Sequence, residues 1–393
     1  MMGKARSLTV ITVAQVLALS LWFAGTAAGP AMGVGPGFQA LLTGGVQAGF
    51  VLGTLGSAVL ALPDRFDPRR VFAVAALAGA AANAVILVLP LGGAGAIVAR
   101  LVTGVALAGV YPVGMKLAVG WADRGDAGLV VGLLVGGLTL GSASPHLVNA
   151  LGGVSWRVTL AAASCAAVVG AGLIGAVRLG PLHRPAPAFR ADAALMIWRD
   201  RGTRLILLGY LGHMWELYAM WAWVGAYLAA SFAAWRGSRV VGGASLSNFA
   251  VIAVGAVGCV GAGVLADRWG RVRVVVASMV VSGTCCLLAG PAFGTHPAVV
   301  VALCLVWGVA VVADSAQFSA GIAARAPAGL TGTMLTVQTC AGFALTLVTI
   351  QVMPVLVGWL GWGGAFAVLA LGPAAGCVAM VMSAGRVPVL MGR

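Results

Sequence analysis

Gly263-Val-Leu-Ala-Asp267-Arg268-Trp-Gly270-Arg271-Val-Arg273 joins two long apolar runs with almost no sequence to spare. It closes one run, holds two glycines and three arginines in eleven residues, and opens directly into the next. Only a tight turn fits between them. With helices on both sides, Asp267 stands at the negative C-terminal end of its own helix dipole and needs a cation or another helix's N-terminus to accept it. Arg268 and Arg271 supply partners of the first kind.

Outward from that turn, the chain is 61% hydrophobic and 8% charged over 393 residues, with a mean hydropathy of +1.05. Soluble domains carry roughly 25% charge, so this composition reads as a polytopic membrane protein. The 59 glycines suit helices whose backbones approach closely in lipid. A net charge of +14 raises nucleic acid as a partner, but no basic stripe interleaved with aromatics is present to bind it. All seven cysteines (Cys165, Cys259, Cys285, Cys286, Cys304, Cys340, Cys377) fall inside apolar runs without Cys-x-x-Cys spacing. Neither a disulfide framework, a metal site nor a cofactor is expected. The N-terminal run from Leu8 to Gly29 is too long for a signal peptide's apolar region and reads as a first span.

Windows of about 20 apolar residues cross a hydrocarbon core of about 30 Å, and twelve can be placed. They cover residues 8–29, 41–62, 71–90, 94–121, 127–151, 156–178, 204–232, 243–266, 273–292, 297–320, 330–357 and 363–384. With the N-terminus inside, eighteen Lys and Arg residues fall in cytoplasmic segments, whereas the outer loops hold only Arg157, Arg236 and Arg239. That imbalance predicts cytoplasmic termini. Residues 180–203, the longest polar stretch, read as a linker between a six-span half over 1–179 and a second over 204–393.

The Gly263 to Arg273 stretch resembles the short loop signature of the major facilitator superfamily, Gly-x-Leu-Ala-Asp-Arg-x-Gly-Arg, found between the second and third helix of each half. The resemblance implies a degenerate copy half a chain upstream. Leu62-Pro-Asp64-Arg65-Phe-Asp67-Pro68-Arg69-Arg70 places Asp64-Arg65 203 residues before Asp267-Arg268. Arg100-Leu-Val-Thr-Gly104-Val-Ala against Cys304-Leu-Val-Trp-Gly308-Val-Ala repeats at an offset of 204. Two such parallel repeats imply alternating access around a site near the membrane midplane. Asp64, Arg65, Arg69, Gly263, Asp267, Arg268, Gly270 and Arg271 are then expected in cytoplasmic contacts that change between states.

Ionisable residues inside spans are costly and so are functional candidates: Arg100, Lys116, His146, His213, Glu216 and Asp314. His213, Glu216, Met220, Trp223 and Tyr227 recur every three or four residues and share one face of the seventh span, which is expected to face a cavity. Glu216 lies roughly 18 Å along that helix at 1.5 Å per residue. Desolvation there favours its neutral form unless a cation offsets it, making it the first choice for a coupling proton; Asp314 is a second proton site, a partner for Lys116 or Arg325, or part of an inner gate. Arg100 resembles the family's Arg-x-x-Gln-Gly motif with Thr103 in the Gln place. The resemblance implies that it faces the cavity, and Tyr111, three turns on, shares its face. Lys116 is expected to snorkel to the cytoplasmic surface. Gln15, Trp22 and Thr26 form a polar face on the first span, and Thr139, Ser142, His146 and Asn149 another on the fifth.

The reading is a proton-coupled secondary transporter of a small solute in a bacterial inner membrane, working as a monomer and not an enzyme. Uncoupled or exchange transport of a small anion, drawn by Arg100 and His213, is the alternative. Efflux by proton antiport is a further one, although Gly136-Gly137-Leu-Thr-Leu-Gly141-Ser-Ala-Ser-Pro145 lacks the family's antiporter Gly-Pro element and the first span has no carboxylate.

Overall fold

A computed structural model describes residues 3–123, 126–151, 155–184, 187, 189–236 and 241–384. Arg124, Arg239, Arg386 and Arg393, which enter the charge count above, lie outside them. The described residues contain helices and no strand. The N-terminal helices are α1 (Lys4–Ala28), α2 (Pro36–Val59), α3 (Leu62–Arg65), α4 (Pro68–Val85), α5 (Ala94–Leu107), α6 (Tyr111–Val119), α7 (Ala127–Leu151) and α8 (Trp156–Ile174). The short α9 (Met196–Arg199) leads into α10 (Arg201–Arg236), α11 (Val241–Ala253), α12 (Gly255–Trp269) and α13 (Arg271–Ala292). The remainder is α14 (Pro297–Ala313), α15 (Ser315–Arg325), α16 (Thr331–Leu369) and α17 (Leu371–Ala384).

Ten stretches are long and apolar enough to cross a membrane. One of them, Thr331–Ala384, has 54 residues, far more than one crossing uses. Its backbone turns at Gly361 (φ 67°, ψ 179°), a left-handed conformation that glycine adopts without steric cost. Before that turn the helix runs parallel to α10, since Gly342 packs on Tyr210 and Ile350 accepts from Trp223. After it the chain returns, with Val368 accepting from Trp215 and Gly376 packing on Gly209. The 18-residue α4, which starts on Pro68-Arg69-Arg70, is not among the ten.

Helices α1 to α8 pack mainly on one another, as do α10 to α17. The two groups meet along two seams, α2 against α16 and α7 against α11 and α12. The offset of 204 recurs in three dimensions. A Cβ on Gly104 would overlap the Val46 carbonyl of α2, and one on Gly308 would overlap the Val251 carbonyl of α11. The chain also interrupts its helix at matching places, around Val110 between α5 and α6 and at Asp314 between α14 and α15.

Gly104→Ala and Gly308→Ala should each destabilise the protein by about 1–3 kcal/mol through overpacking, read as a lower melting temperature in detergent. Gly172→Ala, with nothing within 4 Å of the added carbon, should leave it unchanged. Equal stability of all three variants would mean that the backbones do not pack as closely as drawn.

Candidate functional site: a cavity between two helix groups

Helix α10 carries different chemistry on two faces. Tyr210, Met214, Leu217, Tyr218 and Trp221 line a cavity of about 730 Å³ between the groups. The polar stripe expected to face a cavity is turned the other way in this structure, into the C-terminal group. Tyr227 donates to the Ala289 carbonyl at 2.8 Å, and Trp223 donates to Ile350 at 3.2 Å. His213 Nδ1 lies 2.8 Å from Asp314 Oδ1, close but without the alignment of a hydrogen bond, and its Nε2 has no partner among the described residues. Helical periodicity places these residues on one face; it does not say which neighbour that face meets.

Glu216 is buried and accepts three bonds. Trp307 Nε1 donates at 2.6 Å and Cys286 Sγ at 3.1 Å to Oε1, while Ser282 Oγ donates at 3.0 Å to Oε2. Among the described residues no Lys, Arg or His forms an ion pair with it. Ser282 Oγ is also 3.3 Å from the Met279 carbonyl. A protonated carboxyl could therefore donate to Ser282 while the hydroxyl turns to Met279, so both protonation states find partners without movement of a helix. Trp307, Ser282 and Cys286 escaped the sequence reading because they are 91, 66 and 70 residues from Glu216.

Arg100 is fully buried in the N-terminal group and is not among the residues that line the cavity. It donates to the carbonyls of Leu21 at 2.9 Å, Trp22 at 2.5 Å and Leu42 at 3.4 Å, and to Asn83 Oδ1 at 3.0 Å. Asn83 in turn donates to Leu160 and Ser164. The guanidinium thus ties α1, α2, α4 and α5 together, using most of its five donors. Gln15 donates to Leu134 at 2.9 Å and Thr26 meets Thr43 at 2.8 Å, both within the same group.

The cavity opens between the ends of α2, α6 and α15 and the start of α16, where Asp64, Lys116 and Arg184 stand. The rest of its lining is largely aliphatic and aromatic, with hydroxyls from Thr54, Ser57, Tyr111, Ser315, Ser319, Thr336 and Thr339. Of the expected cavity residues, Tyr111 lines it. Trp22 stands just behind the deep end, in an aromatic cluster that crosses between the groups. Its ring is 4.7 Å from Phe50, 5.5 Å from Phe343 and 6.0 Å from Tyr218, and Phe343 is 4.6 Å from Phe50. His146 lies on the α7 seam, 3.0 Å from Asn248.

At the mouth, Lys116 pairs with Asp64 and donates to the Pro63 carbonyl at 3.0 Å, so the expected snorkelling cation has a fixed partner. Asp67 caps α4 by accepting from the Arg69 amide at 2.9 Å. The Arg69 guanidinium, bound to the same carboxylate at 2.6 Å, holds Asp67 below the usual carboxylate range and reaches the Val177 carbonyl at 3.1 Å. In the stretch 263–273 the turn is one residue, Gly270, at φ 84°. Asp267 lies against the start of α7, its Oδ2 4.0 Å from where a Cβ of Gly128 would stand, and Gly263 packs beside the Gly128 carbonyl. A helix N-terminus therefore faces this carboxylate, the second kind of partner that its position calls for. Arg271 donates to Ala320 at 3.2 Å, and Arg65 and Arg268 are exposed.

Two groups of apolar helices closed around one open-ended cavity make a membrane transport protein. The sequence profile of the Major Facilitator Superfamily matches residues 17–348, and the chain belongs to that family. Among solved structures, the nucleoside transporter NupG is similar in fold, with a TM-score of 0.72 and 14% identity over 98% of this chain and 100% of that one. A point mutant of NupG gives 0.74 and 14% over 97% and 100%. Comparison with curated protein sequences gives no match.

Trp307→Phe removes the shorter of the two bonds to Glu216 Oε1, leaving only the weaker thiol donor of Cys286, and should cost about 1–3 kcal/mol of stability. In a Glu216→Gln background the same change should cost less. An equal loss of melting temperature in both backgrounds would mean that the indole acts by packing alone.

Proposed function

We propose that this protein is a proton-coupled secondary transporter of a neutral, ring-bearing solute, here facing the cytoplasm. The supporting observation is the cavity itself: charged side chains are confined to its mouth, while the rest of its lining offers aromatic faces and hydroxyls. A volume of about 730 Å³ falls in the range of small-molecule sites, which join apolar walls to a few polar groups. Neutral nucleosides, with a planar base and a hydroxylated sugar, match those walls, and NupG's description as a nucleoside transporter puts them first in a test panel. The anion alternative loses support because Arg100 and His213 are engaged away from the cavity. Efflux of a lipophilic compound remains a second reading, favoured by the largely apolar walls.

In this reading the membrane is crossed twelve times, with α4 counted and α16 divided at Gly361. Residues 1–179 and 204–393 form two halves joined by the linker 180–203, and both termini lie in the cytoplasm, the side that the arginine distribution favours, of a bacterial cell. Coupling is assigned first to Glu216, whose hydrogen-bonded surroundings accept either protonation state, and second to Asp314 beside His213. The halves rock so that the seams close on one side as they open on the other.

In proteoliposomes Glu216→Gln should lose accumulation of uridine or adenosine driven by a pH gradient and keep counterflow. A variant that still concentrates solute on that gradient would overturn the assignment of Glu216. Stabilisation of the purified protein by nucleosides supports the solute class; stabilisation by lipophilic cations alone would replace it with the efflux reading.

A further inference from the structure

Ser142, His146 and Asn149 lie on one face of α7, and that face is turned to the seam with α11. His146 Nδ1 meets Asn248 Nδ2 at 3.0 Å, and Asn149 Nδ2 donates to Ser245 Oγ at 3.3 Å. Both contacts cross between the helix groups, at the end of the bundle opposite the cavity mouth. His146, Asn149 and Asn248 are 5%, 6% and 4% exposed. Yet His146 Nε2, Asn149 Oδ1, Asn248 Oδ1 and Ser142 Oγ have no partner in the protein among the described residues. On the other seam, Gln47 of α2 and Gln338 of α16 are buried with both amide atoms unpartnered.

Buried polar atoms without partners are disfavoured, and natural proteins keep few of them. Here several of them stand on the surfaces where the two groups touch. We infer that Ser142, His146, Asn149, Ser245 and Asn248 form the outward-facing solute site of the transport pathway, closed upon itself in this structure. When the seam parts, the unpartnered atoms gain water or solute, and the two cross-seam contacts are the ones that break. Their chemistry is a set of neutral donors and acceptors, suited to a hydroxyl- or amide-bearing neutral solute. The inference rests on the alternating-access reading above, but the seam can be tested without any transported solute.

Polar side chains that are half satisfied when the seam is closed favour its opening; apolar ones of similar size do not. A Ser142→Cys variant in sealed right-side-out vesicles is reacted with a membrane-impermeant maleimide, and labelling of the native cysteines is subtracted. Adding His146→Leu with Asn248→Leu should lower the labelling rate about tenfold, by shifting the population toward the closed seam. Asn149→Leu with Ser245→Ala should act in the same direction, which guards against one pair failing to fold. An unchanged or faster rate in folded variants, or no labelling of Ser142→Cys from outside at all, overturns the inference. External uridine should slow labelling of Ser142→Cys at least twofold. Absence of protection by both uridine and adenosine, with the rate change intact, overturns the solute contact at the seam and leaves the opening seam; the nucleoside reading stands or falls on the stability of the purified protein.

Discussion

The aromatic cluster of Trp22, Phe50, Tyr218 and Phe343 closes the deep end of the cavity. These rings come from α1, α2, α10 and α16, so they join the two groups of helices at a single level of the bundle. Below them lies the cavity; above them the seam is drawn together by His146–Asn248 and Asn149–Ser245. Aromatic side chains give a large contact area with few rotatable bonds. They can fill the space between two helix groups without the directional demands of hydrogen bonds.

Around that seal, each group holds a buried ionisable residue among its own helices, by different means. The N-terminal group spends a guanidinium on main-chain carbonyls. Arg100 takes those of Leu21, Trp22 and Leu42, so a cation inside apolar helices becomes a staple among them. The C-terminal group holds a carboxyl, Glu216, with uncharged donors. A buried charge needs polar partners wherever it sits. The first arrangement leaves little freedom to its charge, whereas the second tolerates a proton arriving or leaving.

The outlines of the fold were legible because they follow from length and composition. Apolar windows, the turn at Gly270 and the repeat around Gly104 and Gly308 all have local signatures. The return of the chain at Gly361 separates the last two windows placed from sequence. Side-chain partners were much less legible. Lys116 meets Asp64 across 52 residues, and nothing local marks the pair. Periodicity gathered His213, Glu216, Trp223 and Tyr227 onto one face of α10, yet in an all-helical membrane protein such a face can meet a cavity or a neighbouring helix. Tyr210, Tyr218, Trp221 and Phe343 went unremarked because an aromatic residue in an apolar run looks the same whether it fills a core or walls a pathway.

Helix α10 is a partition as well as a wall. Its cavity face presents Tyr210, Met214, Leu217, Tyr218 and Trp221, and its reverse face holds the buried carboxyl and the His213–Asp314 pair. One helix thus stands between the cavity and the buried carboxyl, with a different set of side chains turned to each. Selection acting on the first surface need not disturb the second. Side chains can change on the cavity side of this helix while the donors that hold the carboxyl on its other side stay where they are.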